Sequence, residues 1–262
     1  MKWQNLVEII EKLRSPRGCP WDRQQTHESL KPYLLEEAYE LLEAIDNKEP
    51  GSILDELGDV LLQVLLHAQI AKEAGEFTID DVIENLSKKM IRRHPHVFAA
   101  EEAATPAEVA VHWEEIKKKE KKGEARKSVL DGVPKVFPAL MRADKIQKKA
   151  ANVGFDWEKA TDVLDKLQEE LDEVKEAFAQ GDKLKFREEL GDLFFAAVNV
   201  ARFNDLPPEL ILEEATAKFI RRFQFLEKRL QKKNLSLENM TLAEMDEFWE
   251  EAKSYLAKRP QA

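Results

Sequence analysis

The run Leu34-Leu35-Glu36-Glu37-Ala38-Tyr39-Glu40-Leu41-Leu42-Glu43-Ala44-Ile45 decides the fold class. Leu34, Ala38, Leu41 and Ile45 follow the i, i+4, i+7, i+11 spacing of one helix face. The next run, Ile53 to Lys72, is mostly apolar and free of proline, and reads as a second, longer helix. The break between them, Asn47–Ser52, is short, which makes the two helices antiparallel neighbours. Helical periodicity continues nearly throughout, with no convincing alternating run of strand type, so the expected fold is all-α. Further breaks fall at Ser15–Pro20, Gly75–Thr78, His94–His96, Ala151–Phe155, Gln180–Asp182 and Asn204–Pro208.

The acids in these two helices recur. Glu36-Glu37-x-x-Glu40 with Glu56-x-x-Asp59 is repeated as Glu169-Glu170-x-x-Glu173 with Glu189-x-x-Asp192, each residue displaced by 133. Acidic residues number 51 of 262, so one Glu-x-x-Glu alone means little; five held in register point to a duplicated site. The repeat extends to Lys89-x-Ile91-Arg92-Arg93 and Lys218-x-Ile220-Arg221-Arg222, now offset by 129. It extends again to Trp113-Glu114-Glu115-Ile116-Lys117 and Trp249-Glu250-Glu251-Ala252-Lys253, offset by 136. The changing offsets put length differences in loops. Two tandem domains are therefore expected, residues 1–122 and 137–262, with a linker at 123–136.

On a helix, positions three or four apart share a face, so Glu37 and Glu40 project together, as do Glu56 and Asp59. In the longer helix Glu56, Asp59, Gln63 and His67 form one narrow polar stripe among apolar residues. Glu189, Asp192 and Asn199 mark a similar stripe in the second half. Charges on a mostly buried helix need partners, and clustered carboxylates repel unless cations neutralise them. An all-oxygen donor set suits Mg²⁺ or Mn²⁺. The Glu-x-x-His pattern of di-iron bundles is missing at these positions. An ordinary solvated acidic face is the competing account, and the duplication on apolar helices weighs against it.

No glycine-rich phosphate loop of either common kind occurs. Lys89, Arg92 and Arg93 share one helix face, as do Lys218, Arg221 and Arg222; such a face can meet a polyphosphate, or can simply be solvated. Trp113 and Trp249 can stack on a base or pack in a core. The run Lys117–Lys122, interrupted by Glu120, reads as a solvated helix end. His94-Pro95-His96 is a poor metal pair, and Cys19, the single cysteine, reads as packed rather than nucleophilic.

The net charge of −10 argues against general nucleic-acid binding, and a lone cysteine rules out an intramolecular disulfide. No apolar run is long enough to span a bilayer: Val60–Ala71 is broken by Gln63, His67 and Gln69. The N-terminal residues lack the apolar core of a signal peptide, so a cytoplasmic protein is expected.

The motifs Leu35-Glu36-Glu37-Ala38-Tyr39-Glu40 with Glu56-Leu57-Gly58-Asp59, and their counterparts Glu169–Glu173 and Glu189–Asp192, resemble those of MazG-type nucleoside triphosphate pyrophosphohydrolases. Gly18-Cys19-Pro20-Trp21-Asp22 and Ala151–Trp157 also look typical of the tandem form, and the resemblance covers essentially the entire chain. It implies two MazG-like helical bundle domains, completed by homodimerisation, that hydrolyse nucleoside and deoxynucleoside triphosphates to monophosphate and pyrophosphate with Mg²⁺. It implies Glu37, Glu40, Glu56 and Asp59 as metal ligands in the first half, and Glu170, Glu173, Glu189 and Asp192 in the second. Glu36 and Glu169 would orient or deprotonate the attacking water. Lys218, Arg222, Trp249 and Lys253 match positions that contact nucleotide. The second half is expected to dominate, since in this tandem type it often carries most of the activity; here the first half keeps all its acids, but Gln63 and His67 stand where the second half has Ala196 and Val200. A specialist for dUTP or phosphoribosyl-ATP, or a silent metal-dependent nucleotide sensor, are the alternative readings.

Overall fold

A computed structural model describes residues 2–99, 105–120 and 128–257, and the chain divides into two compact units, Met1–Glu124 and Ala125–Ala262. Among the described residues every regular element is helical. Residues 123–127, the start of the expected linker, lie outside the described residues; from 128 the chain runs through turns to Pro138.

The first unit contains α1 (Lys2–Arg14), α2 (Pro20–Gln24), α3 (Lys31–Asn47), α4 (Pro50–Ala74), α5 (Ile79–Arg93), α6 (Pro95–Phe98) and α7 (Pro106–Glu120). Two residues join α3 to α4. Lys48 takes a left-handed conformation (φ 57°) and its N–H returns to the Ala44 and Ile45 carbonyls. The turn is shorter than the break expected at Asn47–Ser52, because Pro50, with its preset φ and no N–H to satisfy, opens α4 instead of preceding it. Thr78 and Asp81 form a reciprocal capping box that starts α5. The turn after α1 needs Gly18: a Cβ there would lie 2.2 Å from the Leu13 carbonyl oxygen.

Ile10, Leu30, Leu65 and Leu66 form the core of this unit, with Leu6, Val7, Leu13, Leu61, Leu62, Ile70 and Ile79 packed on it. Arg14, itself buried, ties α1 to α4 through a two-pronged contact with Glu73, at 3.0 Å (Nε to Oε1) and 2.8 Å (Nη2 to Oε2).

The second unit contains α8 (Ala139–Ala151), α9 (Ala160–Gln180), α10 (Lys183–Phe203), α11 (Pro208–Lys232), a short 3₁₀ turn (Leu237–Asn239) and α12 (Leu242–Ala257). The α9–α10 connection repeats the two-residue turn of α3–α4. Gly181 supplies the left-handed position (φ 71°), and the Asp182 carboxylate accepts from the Leu184 and Lys185 N–H groups. Gln147 on α8 donates to the Phe195 carbonyl of α10 at 2.8 Å. Leu226, Leu230 and Phe248 form a core between α11 and α12.

The helices that carry the acids are not buried along their full length. From Gln63 to Ala71, α4 lies in the core, but Leu54 and Leu57 beside the acids are 71% and 52% exposed. Phe194 and Phe195 on α10 are also exposed. A two-helix hairpin covers only one side of each helix, so the acidic ends keep an uncovered apolar flank. Among the described residues, no helix is long and apolar enough to cross a membrane.

Candidate functional site

Each hairpin brings carboxylates from both of its helices to one place. In the first unit, one oxygen each from Glu37 on α3 and from Glu56 and Asp59 on α4 lies within 4.8 Å of the others. In the second, Glu170 and Glu173 on α9 and Glu189 on α10 do the same. These sets are narrower than the four ligands expected per half. Glu40 lies outside the first set, although its charge acts on Glu37 and Glu56. Asp192, on an exposed stretch of α10, lies outside the second.

The electrostatics are those of crowded acids. Burial, and then the charges of Asp59, Glu40, Glu56 and Glu36, raise the Glu37 carboxyl above its ordinary range. Burial, with Glu40, Asp59 and Asp55, does the same to Glu56. Glu173 is raised by burial, Glu189 and Glu170, with Lys166 pulling the other way. The Oε2 atoms of Glu56 and Glu170 are buried and accept no hydrogen bond. Glu170 is only 6% exposed. A buried carboxylate oxygen without a donor is costly, and a divalent cation is the partner that an all-carboxylate donor set fits. Ligand oxygens around Mg²⁺ at about 2.1 Å are separated by up to about 4.2 Å, so the sets need little movement to close on an ion.

Of the two acids expected to act on water, Glu169 is exposed and bonded to Lys166 (Nζ to Oε1, 2.9 Å), and Glu36 is exposed on α3. Lys166 also bonds Glu170 at 2.8 Å, and Lys185 approaches Glu189 at 4.0 Å. Sequence reading passed over both lysines. The signal was present, since 133 positions earlier the chain has Tyr33 and Ser52. Among the described residues, the second cluster thus has lysines paired with its acids and the first has none.

The basic faces also differ. In the first unit Arg92 and Arg93 are not free to meet a ligand: both donate to Glu120 at the end of α7. Their guanidiniums pull the Glu120 carboxyl down to about 2. The Arg93 guanidinium lies 5.3 Å from the centre of the Trp113 ring, and His94 meets that ring edge-on at 4.9 Å. Lys89 is half-buried on the same helix, and the side chain of Lys117 lies outside the described residues.

In the second unit Lys218 and Arg221 are exposed, with no ion-pair partner among the described residues, and Arg222 lies 6.0 Å from the Trp249 ring. Trp249 is half-buried against Phe219 and the α11–α12 core, so packing holds one side of it. Lys253 is paired with Glu250 on its own helix. His94 donates through Nδ1–H to the Met90 carbonyl, 2.7 Å away, and Cys19 stands at the N-terminus of α2 as a free thiol.

Known proteins resemble this chain in sequence. A family profile described as the MazG nucleotide pyrophosphohydrolase domain matches twice, at residues 25–98 and 158–225. Those segments contain both carboxylate sets and both basic triplets, and leave out Trp113, Glu120, Trp249 and Lys253. The nucleoside triphosphate pyrophosphohydrolase/pyrophosphatase MazG of Thermotoga maritima is 51% identical over 96% of this chain and 95% of its own length. The nucleoside triphosphate pyrophosphohydrolase of Escherichia coli is 45% identical over 95% of each chain. The Bacillus subtilis protein YabN is 50% identical over 94% of this chain, which covers half of that longer protein.

Proposed function

The chain belongs to the MazG nucleotide pyrophosphohydrolase family, hydrolases acting on acid anhydrides, and on that premise we propose that it cleaves nucleoside and deoxynucleoside triphosphates to monophosphate and pyrophosphate with Mg²⁺. Its role is removal of nucleotides from the cytoplasmic pool, and Mn²⁺ can replace Mg²⁺. The observation that carries this reading is the buried, donorless Oε2 of Glu170 inside a three-carboxylate cluster.

In the second unit Glu170, Glu173 and Glu189 would hold the ion, and Asp192, one turn beyond Glu189 on α10, would complete the set. Glu37, Glu56 and Asp59, joined by Glu40, are the equivalent set in the first. A bound divalent cation supplies neutralisation of the triphosphate and acidifies a water molecule. Glu169, at the rim of the second cluster, orients that water and accepts its proton; Glu36 holds the matching position in the first. Lys218, Arg221 and Arg222 bind the phosphates and stabilise charge on the departing pyrophosphate. Trp249 offers the base its ring, and Lys253 lies one turn beyond.

The second unit dominates because its basic face is open. Residues 1–122 and 137–262 act as the two domains. Two copies associate through the apolar flanks beside the acids, where Leu54, Leu57, Phe194 and Phe195 are exposed. The test replaces acids unit by unit in the full-length protein. Glu173→Ala with Asp192→Ala lowers kcat/KM at least about 100-fold with helicity unchanged, while Glu40→Ala with Asp59→Ala lowers it less than about threefold. The opposite ranking places the activity in the first unit.

A further inference from the structure

Glu120 ends α7 against the end of α5. Its carboxylate accepts from Arg92 Nε at 2.7 Å and from Arg93 Nη2 at 2.6 Å and Nε at 3.2 Å. The Arg93 and Glu120 side chains are each 18% exposed. Two guanidiniums converging on one anion form the arrangement that otherwise receives a phosphate group.

The second unit repeats the scaffold without the anion. Lys218, Arg221 and Arg222 stand 129 residues after Lys89, Arg92 and Arg93, and Trp249 stands 136 after Trp113. At that same offset the counterpart of Glu120 is Leu256. No carboxylate pairs with Lys218 or Arg221 among the described residues.

We propose that Glu120 is an internal phosphate mimic that fills the basic face of the first unit, so that polyphosphate binds the second unit in preference. The inference rests on the reading above, that these basic faces receive the phosphates of a nucleotide. Held by the two guanidiniums, the Glu120 carboxyl has a lowered pKa and stays charged across the neutral range, so a polyphosphate has to displace a carboxylate to enter. The carboxylates of the first unit remain intact, so the difference between the units lies in phosphate capture and not in lost metal ligands.

The test is calorimetric titration of the full-length protein with inorganic tripolyphosphate and Mg²⁺ at low salt. Lys218→Ala with Arg222→Ala removes capture by the second unit, leaving the first to be read alone. In that background Glu120→Leu, which installs the residue found at position 256, tightens tripolyphosphate binding at least about tenfold. Glu120→Gln gives a smaller gain in the same direction, and serves if the leucine variant does not fold. Unchanged or weaker binding in folded Glu120 variants overturns the proposal while leaving the reading of the second unit standing. If Lys218→Ala with Arg222→Ala leaves tripolyphosphate binding of the parent chain unaltered, the reading of the basic faces itself fails and the proposal falls with it.

Discussion

Lys166 bonds Glu170 one turn along α9, Nζ to Oε1 at 2.8 Å, and so gives the second carboxylate cluster a cation of its own. The two acids it touches raise the lysine's affinity for its proton, Glu170 first and then Glu169. Lys166→Met leaves three crowded carboxylates without that charge. The metal-free variant is expected to melt a few degrees lower than the parent chain. Added Mg²⁺ raises its melting temperature by more than it raises the parent's, because the ion replaces the missing charge. An equal Mg²⁺ shift in both proteins contradicts this role for Lys166.

Arg202 on α10 is 8% exposed and reaches Asp156 and Asn199. The guanidinium holds the Asp156 carboxyl below the usual range. Asp156→Ala strands a buried cation and is expected to cost about 3 kcal/mol in stability. Urea unfolding monitored on the second unit measures it; a loss below about 1 kcal/mol would show that Asn199 and solvent suffice.

Acid sensitivity has a separate source in the first unit. His67 and His27 share a hydrogen bond between their Nδ1 atoms at 2.7 Å, in a half-buried setting. Burial, and then the neighbouring His27, lower the His67 pKa below its ordinary value of 6.5. As pH falls through 6.5 the unfolded chain takes up a proton that folded His67 resists, so stability drops in that window. His67→Gln flattens that part of the stability profile between about pH 7 and 5. Asp156, with a depressed pKa, contributes stability above its unfolded value and loses it only at lower pH, as the medium passes through its folded pKa.

The exposed leucines and phenylalanines beside the acids predict a dimer. Light scattering at micromolar concentration is expected to give about twice the chain mass of 30.2 kDa. Phe194→Glu in the exposed part of α10 shifts the mass toward the monomer. A monomeric parent protein removes the basis for placing a partner on these flanks.

The helical class and the hairpins were legible because Leu34, Ala38, Leu41 and Ile45 keep a strict period and the acids repeat at one displacement. What was less legible follows from chemistry that spacing does not encode. Pro50 and Gly51 read as a break, yet proline is at home in a first helical turn, so α4 starts earlier than expected. Glu120 looked like an interruption in a lysine run, because nothing local shows that α7 returns to the end of α5. The burial expected around Glu56 and Glu189 came from counting apolar residues. That count says which side chains seek cover, not whether one chain can supply it.

Pyrophosphohydrolase activity is read by incubating a panel of nucleoside and deoxynucleoside triphosphates with the protein and Mg²⁺ and resolving the products by ³¹P NMR. Monophosphate and pyrophosphate are expected in equal amounts, with turnover abolished by EDTA and by Glu173→Ala with Asp192→Ala. Diphosphate and orthophosphate, or turnover that survives EDTA, would contradict this expectation.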